Sequence, residues 1–89
     1  MKNEELRPQL EKLREELQQA DSLDLQQREL LQTLADEIQA LLKRDENQRH
    51  HYTSLSERLN DAVAELEASH PRITLLMRQA VDSMAYLGI

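Results

Sequence analysis

The sequence predicts an all-α fold, a small bundle of four helices, and three observations carry that expectation. Leucines recur at alternating spacings of three and four, as in Leu6, Leu10, Leu13 and Leu17, the repeat that lines one face of a helix. Turn-forming residues are nearly absent, with one glycine (Gly88) and two prolines (Pro8 and Pro71) in 89 residues, too few for a series of hairpins. The apolar residues are also of the wrong kind for a sheet. They make up 39% of the chain but aromatics only 2%, with no Phe or Trp, whereas strands favour β-branched and aromatic side chains.

The first helix is expected over about 4–19. Leu6, Leu10, Leu13, Leu17 and Ala20 form a coiled-coil-like seam, and Glu5, Arg7, Glu11, Lys12, Arg14, Glu15 and Glu16 form its solvated face. Asn3 is a fitting N-cap, and the acids after it suit the positive end of the helix dipole. Pro8 sits late for the favoured first helical position, which admits a later start near Arg7. Residues 21–24 then read as a connection. Asp24 with Gln27 forms a capping-box pattern, and Ser22 is a rival cap.

The second helix is expected over about 24–44. Leu31, Leu34, Ile38 and Leu41 continue the seam, while Leu30, Ala35 and Leu42 broaden it. A broad stripe touches more than one neighbour, so this helix is expected at the centre. Residues 45–51 hold no aliphatic side chain and read as an exposed polar loop. Thr53 or Ser54 then caps a third helix over about 53–68, with Ser54 and Glu57 spaced as a capping box. Its stripe is Tyr52, Leu55, Leu59, Ala62, Val63 and Leu66.

Proline favours the first position of a helix, and the residue before it avoids helical angles. A break is therefore expected at Ser69-His70, followed by a fourth helix over about 71–87 that carries Ile73, Leu76, Met77, Ala80, Val81, Met84 and Leu87. Gly88 suits a left-handed C-terminal cap. The alternative is one helix bent at Pro71, because the phase through Leu59 and Leu66 runs on to Ile73, Ala80 and Leu87 without a slip. The whole chain, 1–89, reads as a single helical domain.

Composition excludes several activities. The net charge of −6 disfavours nucleic acid, whose binding needs a basic patch, and disfavours anionic membrane surfaces for the same reason. No apolar run is long enough to span a bilayer. The polar segment Met1-Lys2-Asn3-Glu4-Glu5 lacks the apolar centre of a signal peptide. With no cysteine, a cytoplasmic location is expected.

Chemistry-bearing clusters are equally thin. His50 and His51 are adjacent and cannot share a helix face, and no histidine pair has the i, i+4 spacing of a helical zinc site. His50, His51 and His70 are therefore expected as loop and cap residues, a metal-binding bundle being the remote alternative. Carboxylates such as Glu11, Asp36, Glu37, Asp61 and Glu65 lie off the leucine stripes, and the Glu-x-x-His pair of di-metal bundles is missing. The serines lack a glycine-rich elbow, and no glycine-rich loop can cradle phosphate. No enzyme activity, metal or cofactor is expected.

Residues 54–71, in particular Glu67-Ala68-Ser69-His70-Pro71, together with the Leu87-Gly88-Ile89 terminus, resemble a bacterial domain-of-unknown-function family, numbered 4404 and found in proteobacteria. Glu5-Leu6-Arg7 and Arg28-Glu29-Leu30-Leu31 look like its N-terminal half, so the likeness covers nearly the whole chain. The resemblance implies no catalytic residues.

A chain this short buries a modest part of its surface, and no disulfide supplements its core. The leading functional expectation is therefore a non-enzymatic, acidic interaction module that self-associates as a homodimer through the stripes of helices two to four. The interface candidates are Leu59, Leu66, Ile73, Leu76 and Met77, continued by Ala80, Met84, Tyr86 and Leu87. The alternative is an adaptor that takes a partner's helix into a groove lined by Met77, Met84 and Tyr86, methionine being soft enough to adapt.

Overall fold

The structure, a computed structural model, describes residues 2–20, 24–44 and 48–86, with side chains described from Leu6 onward. Four helices follow one another: α1 (Lys2–Gln19), α2 (Leu25–Lys43), α3 (Arg49–Leu66) and α4 (Pro71–Tyr86). No strand occurs among the described residues. The all-α bundle read from the leucine spacing is the observed fold.

Each helix forms around its apolar stripe. In α1 the stripe is Leu6, Leu10, Leu13 and Leu17, all buried. The helix continues through Pro8 instead of starting near Arg7. Pro8 lies on the exposed side, so its ring displaces no core side chain, and the costs that remain are the missing backbone donor and the crowding of the ring against the preceding turn. Burial of Leu6 and Leu10 on either side offsets those costs.

Asp24 caps α2 as its spacing suggests, accepting a hydrogen bond from the Gln27 amide at 2.7 Å. The rival cap, Ser22, lies outside the described residues. The α2 stripe buries Leu31, Leu34, Ala35, Ile38, Leu41 and Leu42. At its C-terminal end the Arg7 guanidinium donates to the Leu42 carbonyl, one of the last-turn oxygens that have no partner within the helix.

The third helix starts earlier than expected, at Arg49 and not near residue 53. Residues 49–51, read as part of a polar loop, are its first turn; residues 45–47 lie outside the described residues. The Gln48 amide donates to His51 Nδ1 at 3.0 Å, and the His51 amide donates to the Gln48 carbonyl at 3.0 Å. These bonds perform the capping assigned to Thr53 or Ser54. Thr53 Oγ1 instead donates to the Arg49 carbonyl inside the helix. Apolar residues are needed only where a helix meets the core, and this first turn extends beyond it with Arg49 and His50 exposed.

The break before Pro71 is real: α3 ends at Leu66 and residues 67–69 form a turn. The His70 and Ser69 amides both donate to the Leu66 carbonyl, at 2.8 and 3.2 Å, and the His70 carbonyl accepts from Thr74 to open α4. Helices α3 and α4 thus fold back on each other and do not form one bent helix. The heptad phase continues across the turn because the same core is met on both sides. Leu87 and the Gly88 cap lie outside the described residues.

Each helix packs on two neighbours, α1 on α2 and α4, and α3 on α2 and α4, with no diagonal pair in contact. The second helix is therefore not central; the helices form a ring of four. The α1 stripe serves two seams. Polar contacts cross every seam. Arg7 ties α1 to α2, Arg58 Nε pairs with Glu37 at 3.2 Å between α2 and α3, and Arg78 pairs with Glu67 between α4 and the end of α3. Between α1 and α4, Ser83 Oγ donates to Gln9 at 2.6 Å and Arg72 meets Glu16 at 3.5 Å. Exposed pairs of this kind contribute at most about 1 kcal/mol each, so they favour the register while the core supplies the stability.

The core joins all four stripes into one cluster, with Leu13, Ile38, Leu59, Leu66, Met77 and Met84 fully buried. The sole buried polar residue among those described, Thr74, donates its hydroxyl to the Pro71 carbonyl at 3.0 Å. Leu13→Ala and Leu59→Ala should therefore each lower the unfolding free energy by about 2–5 kcal/mol in urea titrations. Exposed Leu25→Ala should change it by less than about 0.5 kcal/mol. Equal effects at all three positions would contradict this core.

Candidate interaction surface

Of the three histidines, His70 stands far from the other two in the fold. His50 and His51 stand together on the first turn of α3, ring centroids 4.2 Å apart and planes tilted by 48°. His70 lies past the other end of that helix, which at 1.5 Å per residue is about 27 Å long. The three histidines cannot converge on one ion. No group of three or more metal-ligating side chains occurs among the described residues.

His51 has a shifted proton affinity. Its pKa lies below the ordinary 6.5, because of partial removal from water first and then the nearby Arg44 and His50 charges. The hydrogen bond from the Gln48 amide acts in the same direction, since Nδ1 can accept it only while unprotonated. His70 Nδ1 lies 2.9 Å from the Ser69 hydroxyl, a pairing that belongs to the α3–α4 turn.

The polar side chains are occupied by structural work. Glu16, Glu37 and Glu67 each hold an arginine across a seam. Glu11, Asp36, Asp61 and Glu65 are exposed, without the buried pairing that acid–base catalysis uses to separate two pKa values. Ser56 Oγ donates to Met84 Sδ at 3.5 Å, and Ser83 donates to Gln9. An open cleft of about 480 Å³ lies between the end of α1 and the start of α4, lined by Glu16, Ala20, His70, Pro71 and Ile73. A smaller one, about 140 Å³, lies beside Glu37, Arg44, His50 and His51. The first is bridged by the Arg72–Glu16 pair and also contains Ser69, whose hydroxyl meets His70 Nδ1 within the α3–α4 turn.

The interface candidates divide sharply. Leu59, Leu66, Met77, Ala80 and Met84 are fully buried and Ile73 is 6% exposed, so all six belong to the chain's own core. The proposed groove of Met77, Met84 and Tyr86 is closed for the same reason: both methionines fill the space between helices, and Tyr86 alone stands outside. Leu76 is half-buried against the core, and Leu87 lies outside the described residues. The stripes expected to recruit a second chain are satisfied within one.

A different apolar surface remains. The large apolar side chains exposed among the described residues are Leu25 at 71%, Leu75 at 54% and Tyr86 at 70%. Leu25 is the first residue of α2 and stands apart at the helix end. Leu75 and Tyr86 share the outer face of α4 with exposed Gln79 and Asp82. Leu75 is out of phase with the Ile73, Met77, Ala80 and Met84 stripe and so takes no part in the apolar face of that helix. That same dephasing was the available signal, because a leucine off the stripe must point away from the core.

This ring of helices, with its closed core and its reactive groups held in structural contacts, defines a small helical-bundle protein. The chain belongs to the family described as a domain of unknown function (DUF4404), whose model matches residues 6–89. No curated protein matches the chain, and no solved structure does. None of the described helices is long and apolar enough to cross a membrane.

The His51 geometry has a measurable consequence. Below pH 6.5 the unfolded chain takes up a proton before the folded one does. The stability His51 contributes is then present above pH 6.5 and lost as pH falls through its lower folded value. An NMR titration should place the His51 midpoint below 6.5, and His51→Gln should flatten that part of the stability–pH curve. A midpoint at or above 6.5 would contradict the cap.

Proposed function

We propose that the protein is a non-enzymatic helical interaction module that self-associates as a homodimer through the outside of its bundle. The observation that carries this reading is the outer face of α4. Leu75 and Tyr86 are exposed there, with half-buried Leu76 and Val81 at its flanks, on a bundle whose core needs no further covering. A rigid helix that presents leucine and tyrosine to water is an inexpensive interface to form, since tyrosine brings large contact area with few rotatable bonds. The absence of a catalytic cluster among the described residues supports a binding role over a chemical one.

The surface charge supports a protein partner over a nucleic acid. The net charge is −6, and Arg7, Arg58, Arg72 and Arg78 are engaged across the seams of the bundle. Neither feature suits a phosphate backbone, which rewards a free basic stripe. The absence of cysteine is compatible with the reducing cytoplasm. The dimer of this reading is modest in strength, because a single helix face buries less than the roughly 800 Å² per partner of a standard interface.

Light scattering coupled to size exclusion tests the proposal directly. At tens of micromolar the protein should elute with a mass approaching twice the 10.4 kDa chain and move toward monomer on dilution. A monomer at every concentration up to that range would overturn it.

A further inference from the structure

We infer that the homodimer forms by antiparallel pairing of α4 with α4 of a second copy, about a two-fold axis level with Ala80 and Val81. The inference rests on the self-association proposed above and adds its geometry. Successive residues of a helix turn by about 100°, which places Leu75, Gln79, Asp82 and Tyr86 within a sector of roughly 60°. Ile73, Met77, Ala80 and Met84 lie on the opposite side, in the core. The exposed sector is thus the one face of α4 available to another chain. Arg78, exposed like Gln79 and Asp82, stands on its margin.

The charges select the orientation. In a parallel pairing the two-fold axis runs along the contact and carries Asp82 of the second copy to the side opposite Arg78, so no Arg78–Asp82 pair forms. Turning one helix over brings Leu75 opposite Tyr86 of the second copy and Gln79 opposite Asp82. Arg78 then falls within one residue of the opposing Asp82. A two-fold axis keeps both residues on the same side of the contact, so the apolar pair and the ion pair each form twice. Arg78 already holds Glu67 of its own chain, and its five donors leave capacity for a second carboxylate. The ion pairs set direction more than affinity, while Leu75 and Tyr86 supply the contact area.

The chain contains no cysteine, so a single introduced thiol reports unambiguously on proximity. Gln79 sits close enough to the proposed axis for two copies to fall within the Cα separation of about 4.4–6.8 Å that a disulfide requires. Gln79→Cys should give a covalent dimer on mild oxidation, whereas Glu65→Cys, on the exposed side of α3, should remain monomeric on a non-reducing gel. Leu75→Glu should weaken self-association by roughly tenfold or more, with an unchanged helical circular-dichroism spectrum. If the unmodified protein is dimeric by light scattering but Gln79→Cys fails to cross-link and Leu75→Glu leaves the mass unchanged, this surface is wrong and self-association stands. If the unmodified protein is monomeric, both proposals fall.

Discussion

An aliphatic core without phenylalanine or tryptophan must be assembled from small increments of buried area, and here that requirement is met by joining four leucine stripes end to end around a ring. Leu10 and Leu13 of α1, Leu34 and Ile38 of α2, Leu55 and Leu59 of α3, and Met77 and Met84 of α4 are each at most 1% exposed. Fully burying such side chains contributes about 1.5–3 kcal/mol apiece. Helix nucleation is costly, and most of a helix's stability in a protein comes from packing its amphipathic face, so these helices of 16–19 residues depend on one another. The helices exist because the ring closes, and the remaining features of the molecule follow from that closure.

Closure explains where the polar groups went. A ring of four has four seams, and arginines or serines cross each one: Arg7 to Leu42, Arg58 to Glu37, Arg78 to Glu67, and Ser83 to Gln9. Groups that a composition-based reading leaves as unassigned surface charge are the fasteners of the bundle's rim. The compact result has a radius of gyration of 12.3 Å, close to the roughly 12 Å expected of a folded chain this long. Closure also leaves the outside of α4 as the face on which leucine and tyrosine remain in water.

Much of this was legible from residue spacing. The α2 cap follows from Asp24 and Gln27, the break from His70-Pro71, and nearly every buried side chain from the three-four repeat. The start of α3 was not legible, because polar Arg49-His50-His51 carries no periodic signal and its cap is a histidine ring nitrogen, outside the usual Ser, Thr, Asp and Asn vocabulary. The neighbour relations of α1 were not legible either, since stripe width does not say how many helices share one stripe. Of the interface residues named from the stripes, Leu59, Leu66, Ile73, Met77, Ala80 and Met84 lie in the core. Periodicity identifies apolar faces, but whether a face is covered by the same chain depends on three-dimensional closure, which pairwise spacing does not encode.

The central claim is that the leucine stripes are completed within one chain, so that any assembly is built from folded monomers. Dilution tests it most directly. Followed by far-ultraviolet circular dichroism at submicromolar chain concentration, where a modest dimer has dissociated, the protein should keep its full helical signal and a cooperative urea transition. Loss of helix on dilution, with a transition midpoint that collapses together with the dimer, would show that the stripes are completed by a second chain and would contradict the closed ring.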